Sequence, residues 1–475
     1  MFDVVISGAG PNGLMLACEL ALGGIRPLVV EKLTTPSAEQ RANGMVGQVI
    51  RVLHRRGLLE RLTGDPRPPD PAAQFMFAAF PLVLNDLPDN PVYTILAPQQ
   101  KIEAMLAGRA QELGVEIRRG HEVTGITQKD DRVLVEVDGD QILEAQFLVG
   151  ADGGRSITRK LAGIDFPGLT NDRTVSRVFD VEIPRKMVEK QALNVPGYGL
   201  IPAFLHHRNE RGLISYAPFP DGRKMIAVST RDIPEPDAPY TFEDFREALD
   251  HVLGTDVPVT EPDAPKMKRR LSGGNTRLAS AYRAGRILLV GDAAHVHSAI
   301  GGPGLNLGLQ DAINLGWKLA ATVRNTAPKG LLDTYESERR PVAERVVLQT
   351  KAQSVLIGPG PEVTALRTLF GELLQEPAVR SRIARLISGA EIRYDVGDRH
   401  SLSGYFAPGD VPMHDGRPLL IDPTDRLARI SEAWPAVKTV RSGESPAMLV
   451  RPDGYVAWAG ENDKGLKDAL KRWFG

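Results

Sequence analysis

Three glycines and a glutamate near the start of the chain have the spacing of a dinucleotide-binding turn. Gly8, Gly10 and Gly13 form a GxGxxG sequence directly after an apolar run, and Glu31 ends the next apolar run. Gly8 would permit a tight turn, Gly10 would let a pyrophosphate reach the backbone, and Gly13 would let a helix pack closely. A helix N-terminus also attracts phosphates, and a carboxylate can bind a ribose hydroxyl. The pattern predicts a bound adenine dinucleotide. The alternative, glycines that serve only for packing, would not explain the spacing of Glu31.

Two further glycine-containing turns follow apolar runs later in the chain and are also predicted to connect a strand to a helix. One contains Asp152 and the other contains Asp292. The second of them is followed by a glycine-rich stretch at 301–304, and then by a helix predicted at 307–322. A carboxylate at a strand end can accept a hydrogen bond from a ribityl or ribose hydroxyl. Glycine N–H groups at a helix start suit a phosphate or an electron-rich ring edge.

Few side chains have the pattern of acid–base or metal chemistry. His295 and His297 follow the third turn, but their spacing suits helical metal ligation poorly and no carboxylate or cysteine cluster accompanies them. We therefore expect them to pack beside the next helix, and we assign neither a metal site nor a catalytic side chain. Cys18 is the one cysteine, which excludes an intrachain disulfide or a CxxC pair and suits a small buried residue.

The elements that must position these turns follow from apolar periodicity. Strands at 2–7 and 28–30 around a helix at 14–22 predict a βαβ unit. Residues 46–62 are predicted to form one helix, whose arginines we expect on a solvated face rather than in a phosphate site. These arginines are Arg51, Arg55, Arg56 and Arg61.

The rest of the chain divides into a β-rich part and an α/β tail. Residues from about 175 to 270 alternate like sheet strands and include a helix predicted at Phe242–Leu253. The tail begins near residue 396. Residues 447–458 predict a β-hairpin, and Leu466–Phe474 predicts a final amphipathic helix.

Composition excludes several classes of protein. The 475 residues include 58 Lys+Arg and 59 Asp+Glu, for a net charge of −1, and only 6% are aromatic. This balance is untypical of a nucleic-acid-binding protein. The chain also lacks a signal-peptide pattern and any apolar run of roughly 20 residues that could span a membrane. We expect a cytoplasmic protein without nucleic-acid or membrane partners.

Together the three turns resemble the motifs of the class A flavoprotein monooxygenases, the single-component FAD-dependent aromatic hydroxylases. The GxGxxG turn, the Asp-Gly motif at Asp152 and the Gly-Asp motif at Asp292 occur in the order typical of that family. Residues 452–458 are similar to the tail of its polyketide hydroxylase branch. Residues 291–319 and 358–366 are similar to the rifampicin monooxygenases within that branch.

This resemblance implies an α/β fold in several segments. It implies a Rossmann-like FAD-binding domain of the GR2, para-hydroxybenzoate hydroxylase type, with an inserted β-sheet substrate domain and a thioredoxin-like C-terminal domain. The implied segments are FAD-binding residues 1–174, substrate-binding residues 175–271, FAD-binding residues 272–395 with helices, and the thioredoxin-like residues 396–475. Because the tail has no CxxC pair, thioredoxin chemistry is excluded there.

The resemblance also implies binding positions. Those assigned to the cofactor are Gly8, Gly10, Asn12, Gly13, Glu31, Lys32, Arg41, Gln99, Val123, Asp152, Ser156, Arg159, Asp292, Leu305 and Asn306. Asp152 and Arg159 belong to a motif linked to both FAD and NADPH. Asn43, Phe75 and Met225 are assigned to the substrate, although a core position explains Phe75 and Met225 equally well. Many relatives have arginine where this chain has Asn43, so a salt bridge from that position is not expected.

For function, the resemblance implies that NADPH or NADH reduces FAD and that one oxygen atom of O₂ is inserted into a bulky polycyclic aromatic antibiotic or polyketide. A rifamycin is the favoured substrate, and its hydroxylation would inactivate rifampicin and give antibiotic resistance. A biosynthetic polyketide hydroxylase, a non-hydroxylating FAD oxidoreductase and an FAD-binding sensor remain alternatives. The choice of NADPH or NADH and the formation of a homodimer also stay open.

Overall fold

The first part of the chain alternates strands and helices. A computed structural model describes residues 1–37, 44–190, 192–219, 221–231, 240–409, 411, 413–441 and 446–475. Up to residue 161 the elements are β1 (Phe2–Ser7), α1 (Pro11–Leu22), β2 (Pro27–Glu31), β3 (Gly44–Val46), α2 (Gln48–Arg55), α3 (Leu59–Thr63), β4 (Gln74–Phe77), β5 (Phe80–Val83), β6 (Thr94–Leu96), α4 (Gln99–Glu112), β7 (Glu116–Arg119), β8 (Val123–Gln128), β9 (Val133–Val137), β10 (Gln141–Gly150) and α5 (Ile157–Leu161). The predicted βαβ unit is confirmed.

The later elements are mainly strands up to residue 296 and helices after it. The strand-rich part contains β11 (Gly168–Asp180), β12 (Val188–Glu189), β13 (Ala192–Val195), β14 (Gly199–Pro202), β15 (His206–Arg208), β16 (Leu213–Pro218), β17 (Lys224–Arg231), α6 (Phe242–Leu253), β18 (Lys268–Leu278), β19 (Arg283–Ala284), β20 (Ile287–Leu289) and β21 (His295–Val296). Then come α7 (Pro303–Val323), α8 (Thr334–Leu356), α9 (Pro361–Leu373), α10 (Pro377–Ser388), β22 (Leu419–Ile421), α11 (Ala428–Ser431), β23 (Lys438–Val440), β24 (Ala447–Val450), β25 (Val456–Gly460) and α12 (Leu466–Phe474).

The first large sheet brings the ends of several parallel strands to one edge. Its main order is β19-β20-β10-β1-β2-β7. Ser7 at the end of β1 is level with Gly150 of β10 and with Val30 of β2. Because β20 is also parallel to β10, with Gly150 level with Leu289, all three glycine turns leave the sheet on the same side. The topology therefore positions segments that lie far apart in the sequence.

The second large sheet has the order β15-β16-β17-β11-β18-β21. One of its faces is apolar, and Ile214, Tyr216, Ile226 and Val228 form a core there with α6. The last strand, β21, pairs with β18 and is the segment between the third glycine turn and α7. The sheet therefore ends next to the turns of the first sheet.

Two of the predicted segment boundaries fall inside strands of this sheet. The boundary after residue 174 lies within β11, and the boundary after residue 271 lies within β18. These two strands pair with each other in antiparallel fashion, so they connect the strand-rich part to the rest of the chain as one ribbon.

The tail forms its own four-stranded sheet, in the order β23-β22-β24-β25. β22 and β23 are parallel and are joined through α11, whereas β24 and β25 form an antiparallel hairpin that is followed by α12. The predicted hairpin and final helix are confirmed. Within the described residues, no helix has the length and apolar character that a membrane span requires.

The prediction of one helix over 46–62 is wrong. Two shorter helices, α2 and α3, replace it, and Gly57 between them has a φ of 67° that a regular helix does not allow. The prediction that these arginines lie on a solvated face is also wrong, because Arg55 and Arg56 are only 2% and 4% exposed. Arg56 donates to both carboxylate oxygens of Glu19 in α1 and to backbone carbonyls of the tail. These arginines hold the tail against the first helices.

Candidate cofactor and active site

Protein packing explains two of the three glycines in the first turn but not the third. A Cβ on Gly8 would lie 2.5 Å from the carbonyl oxygen of Ala151, and a Cβ on Gly13 would lie 2.0 Å from that of Gly8. Close packing therefore explains both glycines. Gly10 has a φ of −74° and no atom within 4 Å of the position a Cβ would take. A ligand that approaches the backbone would explain a glycine at that position.

The second turn and the loop before α7 each have a glycine that faces open space. Gly153 and Gly302 both have positive φ, and nothing lies within 4 Å of an added Cβ at either position. The three turns are in contact, since Ala151 of the second turn lies against Gly8. Asn12 of α1 occupies the space left by the missing side chains of Gly291 and Gly308. The three turns and the loop before α7 therefore lie together, and we refer to this region as the glycine-lined groove.

Glu31 lies at one end of this groove. Its carboxylate accepts hydrogen bonds from the N–H groups of Ala9 at 2.7 Å and Leu33 at 2.9 Å. Lys32 next to it lies 4.0 Å from the carboxylate of Glu122, with both side chains exposed. Val123 follows Glu122 at the start of β8 and its side chain is buried. The structure thus brings Glu31, Lys32 and Val123 into one neighbourhood, as an adenosine-binding end would require.

In the second turn, the polar side chains bind one another. The carboxylate of Asp152 accepts from Ser156 Oγ at 2.5 Å, and from the N–H and hydroxyl of Thr158 at 2.9 and 3.0 Å. Ser156 Oγ in turn accepts from the N–H of Arg159, so it caps α5. Asp152 and Ser156 therefore shape the start of this helix rather than project freely into the groove.

Arg159 connects the second turn to the third. Its guanidinium donates to the carbonyl oxygen of Ala293 at 2.9 Å and to that of Gly154 at 3.3 Å. It also lies 3.8 Å above the ring of Phe166. Burial lowers the pKa of Arg159 despite the nearby charge of Asp152. Its neighbour in the third turn, Asp292, is exposed and so remains available to a ligand.

The loop before α7 is fixed by Asn306. Its side-chain oxygen accepts from the N–H of Val46 at 2.9 Å, and its Nδ2 donates to the carbonyl oxygen of Gly302 at 2.9 Å. Leu305 precedes it in the first turn of α7 and is half-buried. The imidazole of His297 lies 3.6 Å from the position of a Cβ on Gly304, and burial lowers its pKa. The expectation that the histidines pack beside this helix is confirmed.

A buried carboxylate that the sequence analysis missed braces the third turn. Asp311 of α7 accepts from His295 Nε2 at 2.6 Å, from Arg339 Nε at 2.7 Å and from the N–H of Gly291 at 3.2 Å. Burial would raise the pKa of Asp311, but the charges of Arg339 and His295 outweigh it and lower this pKa. The polar positions 311, 314 and 318 on one face of an otherwise apolar helix were the signal that could have revealed this network.

The remaining predicted positions are spread over separate elements. Gln99 begins α4 and its amide donates to Glu103 at 2.7 Å. Phe75 lies on β4 and packs with the apolar cluster of α8 and α10, whereas Met225 is half-buried on β17. Arg41 and Asn43 lie outside the described residues.

The residues present fit an adenine dinucleotide. Such a ligand needs space beside the backbone, as at Gly10, Gly153 and Gly302, and acceptors for its hydroxyl groups, as at Asp292 and Glu31. In the part of the chain that the structure describes, no group of three or more His, Cys, Asp or Glu side chains could hold a metal ion. The open backbone and the two carboxylates suit a nucleotide cofactor.

Comparison with known families agrees with this geometry. The FAD binding domain family matches residues 1–350, and the C-terminal domain of aromatic-ring hydroxylases matches residues 410–475. Fold and groove thus define an FAD-binding enzyme. The chain belongs to the FAD-dependent aromatic-ring hydroxylases, as the resemblance of its motifs predicted.

Similar proteins share the full length of the chain. The rifampicin monooxygenase of Streptomyces venezuelae is 40% identical over 493 residues, which cover 100% of this chain and 99% of that protein. The 12-dehydrotetracycline 5-monooxygenase/anhydrotetracycline 6-monooxygenase of Streptomyces rimosus is 39% identical over 508 residues, with the same coverage. The solved structure of the anhydrotetracycline hydroxylase from S. rimosus has a TM-score of 0.85 at 38% identity and covers 100% of this chain and 99% of its own. The chain is a flavin monooxygenase, and the predictions of FAD, NAD(P)H and O₂ are confirmed.

Proposed function

We propose that this enzyme hydroxylates a bulky polycyclic aromatic polyketide or antibiotic, and that its substrate is a rifamycin. The full-length similarity to a rifampicin monooxygenase supports this choice. In that case the reaction would inactivate the antibiotic. A tetracycline-type polyketide in a biosynthetic role is the second candidate, because the S. rimosus relative is almost equally similar.

The half-buried face of the second large sheet is the observation that carries the proposal. It lies opposite the apolar face that packs against α6. Ser215 is level with Ala227, and Ser176 is level with Ser229, so small side chains occupy successive cross-strand rows. Met225 shares this face, because side chains alternate between the two faces along a strand. A broad half-buried surface with small side chains leaves room for a flat multi-ring substrate.

The position of this face next to the cofactor groove supports the same proposal. β21, the last strand of the sheet, directly follows the third turn and precedes the loop at α7. When bound, FAD supplies the redox chemistry with NAD(P)H and O₂. The backbone at Gly10 and Gly153 would receive its pyrophosphate, Glu31 would hold the ribose, and Asp292 would accept hydroxyl groups. The sheet would exclude water from the reacting edge.

We also infer two finer features of the architecture. The β-α-β unit followed by a β-hairpin and a helix supports a thioredoxin-like tail, and the six-stranded sheet supports an inserted substrate domain near residues 175–271. A homodimer remains a prediction that light scattering of the purified protein would test.

The substrate is tested by supplying the purified FAD-loaded enzyme with NADPH and a panel of rifamycins, anhydrotetracyclines and anthraquinones. We expect rifampicin to stimulate NADPH oxidation most and to gain the mass of one oxygen atom. A larger response to anhydrotetracyclines would favour the biosynthetic candidate. If no polycyclic compound stimulates oxidation or gains oxygen, the proposed function is wrong.

The substrate face is tested by Ala227→Trp, which would place a bulky ring on it. We expect at least a tenfold loss of substrate-stimulated NADPH oxidation, ~1.4 kcal/mol or more, with unchanged FAD content. Ile142→Trp is the matched control, because Ile142 is 55% exposed on β10. Equal rates in both variants would exclude this face as the substrate site.

A further inference from the structure

One row of side chains crosses the proposed substrate face and ends at a histidine on the edge strand of the second large sheet. His206 of β15 is level with Ser215 of β16, and Ser215 is level with Ala227 of β17. Residues directly opposite each other in an antiparallel pair project to the same side of a sheet, so His206 shares the face that holds Ala227. Because β15 and β21 lie at opposite edges of the sheet, His206 marks the end of the face that is remote from the cofactor groove.

The side chain of His206 is accessible and has polar atoms available to a ligand. It is exposed, and Ser215 is half-buried. Neither side chain makes a hydrogen bond to another described residue. Burial by the surrounding protein nevertheless lowers the pKa of His206, and the neighbouring His207 lowers it further. A side chain that water can reach while protein surrounds it lies in a recess, and the lowered pKa keeps its imidazole neutral at pH 7.

The connection between α8 and α9 limits the face at this edge. Arg208 comes two residues after His206 and therefore projects to the same side of β15. Its guanidinium donates to the carbonyl oxygens of Gly358 at 2.9 Å and Gly360 at 2.8 Å, and to Thr364 Oγ1 at 2.5 Å. These bonds attach the start of α9 to β15. A ring system that lies on the face therefore has its outer end next to His206.

The backbone directly before His206 is strained. Phe204 has a φ of 61°, which a bulky residue rarely adopts, and its side chain is 59% exposed. Its N–H group donates to the carbonyl oxygen of Tyr216 at 2.8 Å, which fixes the turn into β15. Backbone strain of this kind is concentrated at functional sites, where the surrounding structure maintains it. The segment that positions His206 has this property.

The two available side chains together suit a hydroxyl group. A neutral imidazole offers one nitrogen as an acceptor, and the hydroxyl of Ser215 can donate. A phenolic hydroxyl both donates and accepts, so it can bind both side chains at once. A methyl ether has no proton to donate to His206. The pair therefore matches a phenol better than its ether.

We propose that His206 and Ser215 bind a phenolic hydroxyl group at the end of the polycyclic substrate that is remote from the oxidised ring. This inference rests on the proposed function, because it requires the ring system to lie on this face. The phenol would donate to His206 and accept from Ser215, and the small side chain of Ala227 would lie beneath the rings. His206 would thus determine specificity and orientation and would take no part in proton transfer at the reacting carbon.

Two probes with the same rings test the pair by calorimetry on the FAD-loaded enzyme. Naphthalene-2,6-diol can donate, whereas 2,6-dimethoxynaphthalene can only accept. We expect the wild-type protein to bind the diol about three- to tenfold more tightly, as for one hydrogen bond. His206→Phe and His206→Ala should both remove this preference, and His206→Gln, which keeps an acceptor, should retain it. Ser215→Ala should weaken binding of both compounds, since an ether oxygen also accepts.

His251→Phe is the matched control and should keep the wild-type preference. His251 is exposed near the end of α6, and this helix packs on the opposite face of the sheet. Ala227→Trp should abolish binding of both probes. Equal binding of the two compounds by the wild-type protein, or a preference for the diol that persists in His206→Phe and His206→Ala, would overturn the proposal. Unchanged probe binding in Ala227→Trp would also overturn it, because the probes would then bind elsewhere.

The result is separable from a test of the proposed hydroxylation. If no polycyclic compound stimulates NADPH oxidation, the hydroxylase is refuted while the preference for the diol can still be measured. If a phenolic polycycle is oxidised, its KM should rise about three- to tenfold in His206→Phe with kcat unchanged, because the bond is made equally in the ground state and the transition state. An active enzyme whose KM does not change in His206→Phe would retain the proposed function and contradict this role of His206.

Discussion

Charged groups are buried and paired at the interface between the tail and helices α7 and α8, whereas the glycine-lined groove has an exposed carboxylate and open space beside the backbone. At the interface, Glu338 accepts from Arg451 at 2.6 and 2.7 Å and from Lys318 at 2.7 Å. Asn314 donates to Glu338 at 2.7 Å and to Asp453 at 3.0 Å. In the groove, the backbone at Gly10 faces open space and the carboxylate of Asp292 is exposed. Closed polar networks hold this molecule together, and open polar surface is where it can bind a ligand.

The same helix takes part in both regions. The N-terminal end of α7 forms the cofactor loop, while Asn314 and Lys318 further along it contact the tail network. A buried charge must be paired because isolated charge in a low-dielectric interior is costly, whereas an unpaired group at a solvent-open groove costs little before the ligand arrives. This contrast leads to four predictions, from the largest effect to the smallest.

Arg451→Met should have the largest effect, because it leaves Glu338 and Asp453 buried without their arginine. We expect the free energy of unfolding to fall by about 3–5 kcal/mol, measured by urea denaturation with tryptophan fluorescence. Arg61→Met is the control, since the Arg61–Glu112 pair is exposed and a screened surface pair contributes little to stability. Similar losses of unfolding free energy in both variants would show that the buried pairs of Arg451 contribute no more than an exposed pair.

Acid should weaken the same interface. Burial would raise the pKa of Glu338, but Arg451 and Lys318 hold it at about 2, below its ordinary value of 4.5. Since the unfolded chain binds this proton first, the stabilisation is complete above pH 4.5 and is lost as the pH falls towards 2. This shift corresponds to about 3 kcal/mol. In Glu338→Gln, urea denaturation between these pH values should lack this part of the loss, and an unchanged acid dependence would contradict the assignment.

Two glycines of the first turn should separate folding from cofactor binding. Gly13→Ala places a Cβ against the carbonyl of Gly8 and should cost about 1–3 kcal/mol of unfolding free energy. Gly10→Ala meets no protein atom, so the FAD-free protein should change by only about 0.5 kcal/mol. Its FAD affinity should nevertheless fall about tenfold or more, ~1.4 kcal/mol, in a fluorescence titration. Normal FAD affinity in Gly10→Ala would mean that the open space at this position is not the pyrophosphate site.

The smallest effect is expected for Glu31→Gln. The amide keeps its oxygen as the acceptor for the N–H group of Ala9, whereas the exposed N–H group of Leu33 would bind water instead. The charge that would bind ribose hydroxyls is lost. We expect FAD affinity to fall by about 0.5–1.5 kcal/mol, as read by equilibrium dialysis, with little change in stability. A loss of stability without a loss of FAD affinity would mean that Glu31 stabilises the turn and does not bind the ribose.

Local spacing was sufficient to predict the cofactor and the family. Gly8, Gly10 and Gly13 are read directly from a short segment, because a tight turn and a close backbone approach depend on local conformation. The final hairpin and helix were predicted for the same reason, since their periodicity is local. The extent of the helix at 46–62 was missed because a single glycine with positive φ, Gly57, overrides the apolar pattern around it.

The sequence by itself determined that this protein binds FAD and belongs to the aromatic-ring hydroxylases, because those properties reside in contiguous motifs. Only the tertiary structure decided which charges are buried. Arg56, Arg339 and Arg451 look like surface residues in a linear sequence, and each has a carboxylate partner on a distant element. The reason is physical: the free energy of a buried charge depends on the three-dimensional position of its partners, which sequence spacing does not specify.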